Sequence, residues 1–429
     1  MLTSSSKKRL LLAAVVSVGL AAPAFTGSAS ADPKQFGALV GVGSDTTENV
    51  VNGFAGYDNG FYYTPVKSVT GDRQLVSWDA TAPAGAADNC ISLAGGIKVQ
   101  RPNGSTNGRA ALSRAFDGVA VTNAAGGWGT TADCGPTTNN GRQDVSGLID
   151  FARSSGGPST GDTGTSLTYV PFARDAVGIA YYRAAGSPVT DFTYAELEAL
   201  YKGTGTTPNV LTKSNGSTNV DIIACGIQLG SGTQKFNLSS LNGASATSVT
   251  ATQEAAATAA CNAAGTGARL QEHDAAGLKA KGDALEATRP GIEVIVFFSA
   301  AKFIAKRNGL VPGDPAAYNV DLATISSAFS TANIGKPYSG TGTSVTVNST
   351  YYADSKFSRK VYNVLPTSIL TGPGNTDIKE IFIGTTTVTT PILCATAAQA
   401  TVATLGFASE TTCGSQTTKG SFIAGVFNV

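Results

Sequence analysis

Glycine-flanked hydroxyl residues recur in this chain where an apolar run gives way to a helix-like segment. The sharpest case lies within Val220 to Leu238, VDIIACGIQLGSGTQKFNL, where Gly230, Ser231, Gly232 and Thr233 form the turn. Glycine lets the backbone approach a bound group, and Ser231 and Thr233 stand where a helix start leaves N–H donors unpaired. Such an end carries about half a positive charge and suits an anion. The ordinary alternative is a plain loop with a helix cap. Three upstream turns share the pattern: Gly43 followed by Ser44, Asp45, Thr46 and Thr47; Gly104-Ser105-Thr106-Asn107-Gly108; and Arg153-Ser154-Ser155-Gly156. Arg153 adds a fixed positive charge, and Asp45 with Glu48 has the spacing of a capping box.

Other chemistry is scarce. His273, in Glu272-His273-Asp274, is the single histidine, which leaves no histidine dyad and no metal cluster. Gly157-Pro158-Ser159-Thr160-Gly161 matches the outline of a serine nucleophile elbow, but proline precedes the serine and no strong strand abuts it. No Gly-Lys-Ser/Thr follows a glycine turn, so a phosphate-cradling nucleotide loop is not expected. The expectation is a non-enzyme without cofactor or metal.

The elements that must position these turns alternate between strand and helix. Strands are expected at Phe36 to Val42, 97–100, Leu148 to Ala152, Tyr169 to Tyr182, Val220 onward and Ile292 to Phe298, with helices after the glycine turns and at Phe192 to Tyr201. Thr193 and Glu196 form a second capping-box spacing. An alanine-rich helix is expected at Thr252 to Ala264 and another at Ala275 to Ala287. The tail reads as strand at Lys360 to Leu365 and Ile378 to Ile383, and as helix at Ala395 to Thr404. This order predicts an α/β fold with mainly parallel sheets.

Lys7, Lys8 and Arg9, an apolar run from Leu10 to Ala22 and Ala29-Ser30-Ala31 read as a secretory signal peptide over residues 1–31. The protein is therefore expected to be secreted, with no membrane span. The 6 cysteines then favour disulfides. Connectivity is open from sequence, and nearest-neighbour pairing (Cys90 with Cys134, Cys225 with Cys261, Cys394 with Cys413) keeps each bridge within one compact region. A net charge of +1 with 14% charged residues gives no basic footprint for nucleic acid.

The turns together resemble the phosphate-binding proteins of phosphate-specific ABC transporters, within the type II periplasmic-binding-protein superfamily. Gly41-Val42-Gly43-Ser44-Asp45-Thr46 is similar to that family's first ligand turn, Gly104 to Gly108 to the second, Ile149 to Ser155 to the third and Gly230 to Thr233 to the fourth. The order agrees from about Phe36 to Phe303. The resemblance implies two lobes closing about a hinge, with residues 32–175 in the first lobe, 176–293 in the second, and 294–429 returning to the first with a C-terminal extension. Two departures stand out: Ser155 occupies the family's usual aspartate position, and Ile227 and Gln228 occupy that of an arginine. Arg153 or Arg174 is the replacement cation on this reading.

The expected ligand set is Ser44, Asp45, Thr46, Thr47, Ser105, Arg153, Ser154 and Ser155 facing Ser231, Gly232 and Thr233. Phosphate leads, with sulfate, another oxyanion or a phosphorylated metabolite open. Partners implied are the oxyanion and an ABC permease, with the chain a monomer. The rivals are an extracellular hydrolase or phosphatase using Ser159 and His273, and a cell-wall protein that has lost its ligand.

Overall fold

The computed structural model describes residues 38–425 apart from 84–85, 124–125, 130–133, 135–140, 203–208, 217, 243–247 and 330–331. The expected signal peptide lies outside the described residues. Along the chain come β1 (Leu39–Gly43), α1 (Glu48–Phe54), β2 (Leu75–Ser77), α2 (Ser105–Phe116), β3 (Phe151–Ser154) and β4 (Leu167–Arg183). Then follow α3 (Tyr194–Lys202), β5 (Leu211–Asn215), β6 (Thr218–Ala224), α4 (Gly232–Ser240), α5 (Ala275–Glu286), β7 (Glu293–Ser299), α6 (Ala300–Arg307) and β8 (Ser358–Pro366).

These strands join in the order β5-β6-β7-β4-β8-β3-β1-β2, with Asp321–Leu322 and Thr418–Gly420 also pairing with β4. The 17-residue β4 is buried nearly throughout, as an apolar run without a polar face predicts. It pairs with β8 over Leu167–Ala176 and with β7 over Val177–Arg183, so one strand runs through both lobes. Parallel pairing is found at β1–β2, β1–β3 and β6–β7. Three of the four glycine turns leave the carboxyl ends of these parallel strands, where open α/β sheets place their ligands. The strands bordering β4 and β8 pair antiparallel and carry the crossing between lobes.

Apolar clusters cover both faces of the first lobe's sheet. One unites Val50, Val51 and Phe54 of α1 with Phe172 and Val361; the other unites Ala110, Ala111 and Leu112 of α2 with Val42 and Ala152. The second lobe's core joins Ile179 of β4, Ile223 of β6 and Val296 of β7 to Leu322, Ile325, Tyr351 and Phe357. Val320, Leu322, Ile325, Tyr351 and Phe357 thus pack into the second lobe's core, whereas the boundary expected at 293 assigned them to the first. That boundary followed the chain through β7 and missed the return of Asp321–Leu322 onto β4.

Two further differences have local causes. Ile378 to Ile383, expected as a strand, belongs to the helix Thr376–Phe382, with Ile383 as its C-cap: Ile378, Ile381 and Phe382 are spaced to share one helical face and are buried against the first lobe. The helix expected after the second glycine turn starts within that turn, at Ser105. The cysteines pair as expected, with Cα separations of 5.5 Å for Cys90–Cys134, 5.0 Å for Cys225–Cys261 and 5.8 Å for Cys394–Cys413.

Candidate functional site

The four turns meet where the lobes touch. Thr106 N donates to Gly230 O across the interface at 3.3 Å. A Cβ at Gly104, whose φ is +86°, would lie 3.3 Å from Gly230 O. At Gly232 a Cβ would come within 2.4 Å of Ser155 Oγ and 2.7 Å of Ser105 Oγ, so only glycine permits this approach. Ser105 Oγ accepts from Ser155 N at 3.0 Å, which ties the second turn to the third. Lys235 Nζ of α4 reaches Thr106 Oγ1 of α2 at 3.0 Å.

The first turn is buried: Ser44, Asp45, Thr46 and Thr47 are each no more than 1% exposed. The capping box expected at Asp45 is not formed. Thr47 takes the N-cap position without a side-chain bond, and Glu48 turns to Lys302 Nζ (2.6 Å) and Ala80 N (2.8 Å). By contrast, Thr193 and Glu196 do form their reciprocal bonds, at 3.2 and 2.8 Å. Asp45 Oδ1 accepts from Thr46 N at 3.0 Å, while its Oδ2 lies 3.3 Å from His273 Nδ1. Ser44 Oγ and Thr47 Oγ1 are buried without a partner.

Two residues missed by sequence reading join the lobes. Glu272 is fully buried and accepts from Thr46 Oγ1 on one side and Ser231 Oγ on the other. Hydroxyls expected to hold an external oxyanion therefore hold a carboxylate of the chain itself. Burial, with the neighbouring Asp45 carboxyl adding to it, pushes Glu272 up to about 7; burial likewise raises Asp45. Two carboxyls buried beside each other cannot both ionise cheaply. Ser231 is also the cap of α4, accepting from Thr233 N at 3.0 Å and Gln234 N at 3.4 Å.

The second is Arg359, on β8. Its Nη2 donates to Thr233 Oγ1 (2.6 Å), Asp175 Oδ2 (3.0 Å) and Thr46 Oγ1 (3.4 Å). Its Nε and Nη1 are buried with no partner. Its guanidinium lies 5.8 Å from the ring centre of Phe236. The cation expected at Arg153 is engaged elsewhere: Nε and Nη2 donate to Ser44 O (3.0 Å) and Gly43 O (2.8 Å), and Nη1 donates to Trp78 O (2.5 Å) and Ser77 Oγ. These bonds splint the first turn to β3. Arg174, the other candidate, turns to Ser358 Oγ at 2.9 Å and Glu410 Oε2 at 3.1 Å. The signal for Arg359 was present in Ser358-Arg359-Lys360, where adjacent cations open a mostly apolar strand.

Between the lobes lies a cleft of about 510 Å³. Of the expected ligand residues, Ser105, Ser154 and Gly232 line it, with Arg359 beside them. Arg109, Lys235 and Lys360 add positive charge, and none of its described lining residues is acidic. Arg109 is held by Tyr169 Oη at 2.6 Å. Burial and the like charge of Arg109 hold the Lys235 ammonium down at about 8. Ser159 also lines this cleft, but His273 lines a different cavity with Thr81 and Lys306, and burial and Lys302 hold His273 at about 3. The serine and histidine of the hydrolase reading are not brought together.

Among the described residues no helix is long and apolar enough to cross a membrane, and no group of three or more potential ligands could hold a metal ion. No family model matches the chain, and no curated protein matches it. Among solved structures it is similar to an ABC-type phosphate transport receptor from Vibrio cholerae, 16% identical, covering 62% of this chain and 81% of that one at a TM-score of 0.34. It is also similar to a phosphate-binding protein from Stenotrophomonas maltophilia, 11% identical, covering 88% of this chain and 91% of that one at a TM-score of 0.43. With overlaps this loose, the functional reading rests on the geometry of the cleft.

Proposed function

We propose that the protein is a secreted solute-binding protein that captures phosphate or a similar small oxyanion between its lobes for uptake by an ABC permease. The observation that carries this reading is Arg359: a buried guanidinium at the cleft whose Nη2 is paired with Asp175 while Nε and Nη1 are unpartnered, with further cations and no acidic residue among the described residues lining the cleft. Buried N–H donors are seldom left unpaired, and an oxyanion supplies the missing acceptors. The starts of α2 and α4 beside it favour negative charge further. Arg359 replaces Arg153 as charge partner, with Ser105, Ser154 and Gly232 nearest the ligand. Ser44, Asp45, Thr46, Thr47, Ser155, Ser231 and Thr233 form the layer behind.

One observation favours the rival in which small-ligand binding is lost. Glu272 takes the hydroxyls of Thr46 and Ser231, so part of the expected anion site is filled by the chain itself. Isothermal titration of refolded, anion-free protein with inorganic phosphate and sulfate separates the two readings. Saturable binding that weakens with added salt supports the first; absence of heat and of any thermal shift supports the second. Turnover of a chromogenic phosphate ester that disappears in Ser159→Ala would instead support a hydrolase.

A further inference from the structure

The cleft is larger than a bare oxyanion needs, and its lining combines polar and apolar groups. Arg359, Ser105 and Ser154 line it together with the apolar Pro158, Phe236, Leu238 and Tyr362. Clefts of about 300–1,000 Å³ with apolar walls and a few placed polar groups accommodate whole organic ligands. A tetrahedral ion at Arg359 would leave most of about 510 Å³ unfilled and the Phe236 ring in water.

We infer that the preferred ligand is an organic phosphomonoester, its phosphoryl group at Arg359 and its carbon-bearing group against Phe236, Leu238 and Tyr362. This rests on the oxyanion reading above and specifies its ligand class. Three observations support it independently of the turns. Arg359 is 5% exposed and keeps two unpartnered nitrogens, so the anionic end has a built anchor. Phe236 stacks over that same guanidinium, which places an apolar face one step from the phosphoryl position. Lys235 and Lys360 line the cleft, which has no acidic residue among its described lining. Lys360 is shared with Glu410 at 3.4 Å, whereas among the described residues Lys235 reaches only the Thr106 hydroxyl, and it suits an ester that carries a second negative charge on its phosphoryl or organic part.

The test is calorimetric titration of the full chain with inorganic phosphate and with phenyl phosphate under identical buffer. The expected result is phenyl phosphate binding at least tenfold more tightly than inorganic phosphate, with Phe236→Ala weakening the ester more than the inorganic ion. Equal or tighter binding of inorganic phosphate in the parent protein overturns the ester assignment and leaves the oxyanion reading intact. Equal losses for both ligands in Phe236→Ala overturn the assignment of the apolar wall. Absence of binding by both overturns the oxyanion reading and this inference with it.

Discussion

Replacing Arg359 by glutamine examines the joint on which the site depends. Arg359 and Asp175 are 3.0 Å apart, with side chains only 3% and 0% exposed. Without the guanidinium, Asp175 Oδ1 keeps Ser299 Oγ (3.2 Å) and Ala301 N (3.1 Å) as donors, but Oδ2 has none. Removing one partner of a buried ion pair costs about 3–5 kcal/mol, mostly from the charge left behind. Burial already raises the Asp175 carboxyl against the opposing pull of Arg359. In Arg359→Gln it rises further, so a proton can neutralise it at low pH. The sign follows: the cost is smallest in acid, where Asp175 is protonated, and grows as pH rises through its folded-state pKa. Arg359→Gln with Asp175→Asn should recover most of the loss, with a coupling energy of about 2 kcal/mol or more in a double-mutant cycle. Urea denaturation of the four proteins at pH 5 and pH 8 measures this. A single-variant cost below about 1 kcal/mol at pH 8, or a cost that shrinks as pH rises, would refute the reasoning. The double variant, if folded, should also fail to bind phosphate; parent-like binding would remove Arg359 from the ligand site.

Glu272→Gln addresses the carboxylate between the lobes. With its pKa raised from 4.5 to about 7, Glu272 adds stability that is fully present below about 4.5 and lost as pH rises through about 7. The variant's stability should therefore vary less across that window, as pH-dependent denaturation would show. Gly232→Ala should destabilise the closed lobes by about 1–3 kcal/mol through overpacking against Ser155 and Ser105, read as a lowered melting temperature; an unchanged value would mean that the lobes do not meet there. Replacing Cys225 and Cys261 by alanine should cost about 3–4 kcal/mol, since their bridge closes a long loop. Guanidinium denaturation of the oxidised parent and the variant checks it.

The turns were legible because their signal is local: an apolar strand, a glycine, a hydroxyl and a helix start lie within a few residues. The bridges were legible for a similar reason, since each spans at most 44 positions. What closes the site was not legible. Arg359 lies 313 positions from Thr46 and 126 from Thr233, and Glu272 lies 226 from Thr46. Nothing near those turns in sequence announces either partner. Arg153 misled for the opposite reason. Its place in a donor-rich turn suggested a ligand, while the carbonyls of Gly43, Ser44 and Trp78 that engage it come from chain 75 to 110 positions away. Thr376–Phe382 was misread because a short apolar run fits either period.

The most direct measurement is isothermal titration of inorganic phosphate into protein that has been unfolded, dialysed free of anions and refolded at low ionic strength. The account predicts one saturable site per chain, weakened by salt and lost in the Arg359→Gln, Asp175→Asn variant. No heat and no thermal shift with phosphate, sulfate or phenyl phosphate would contradict it.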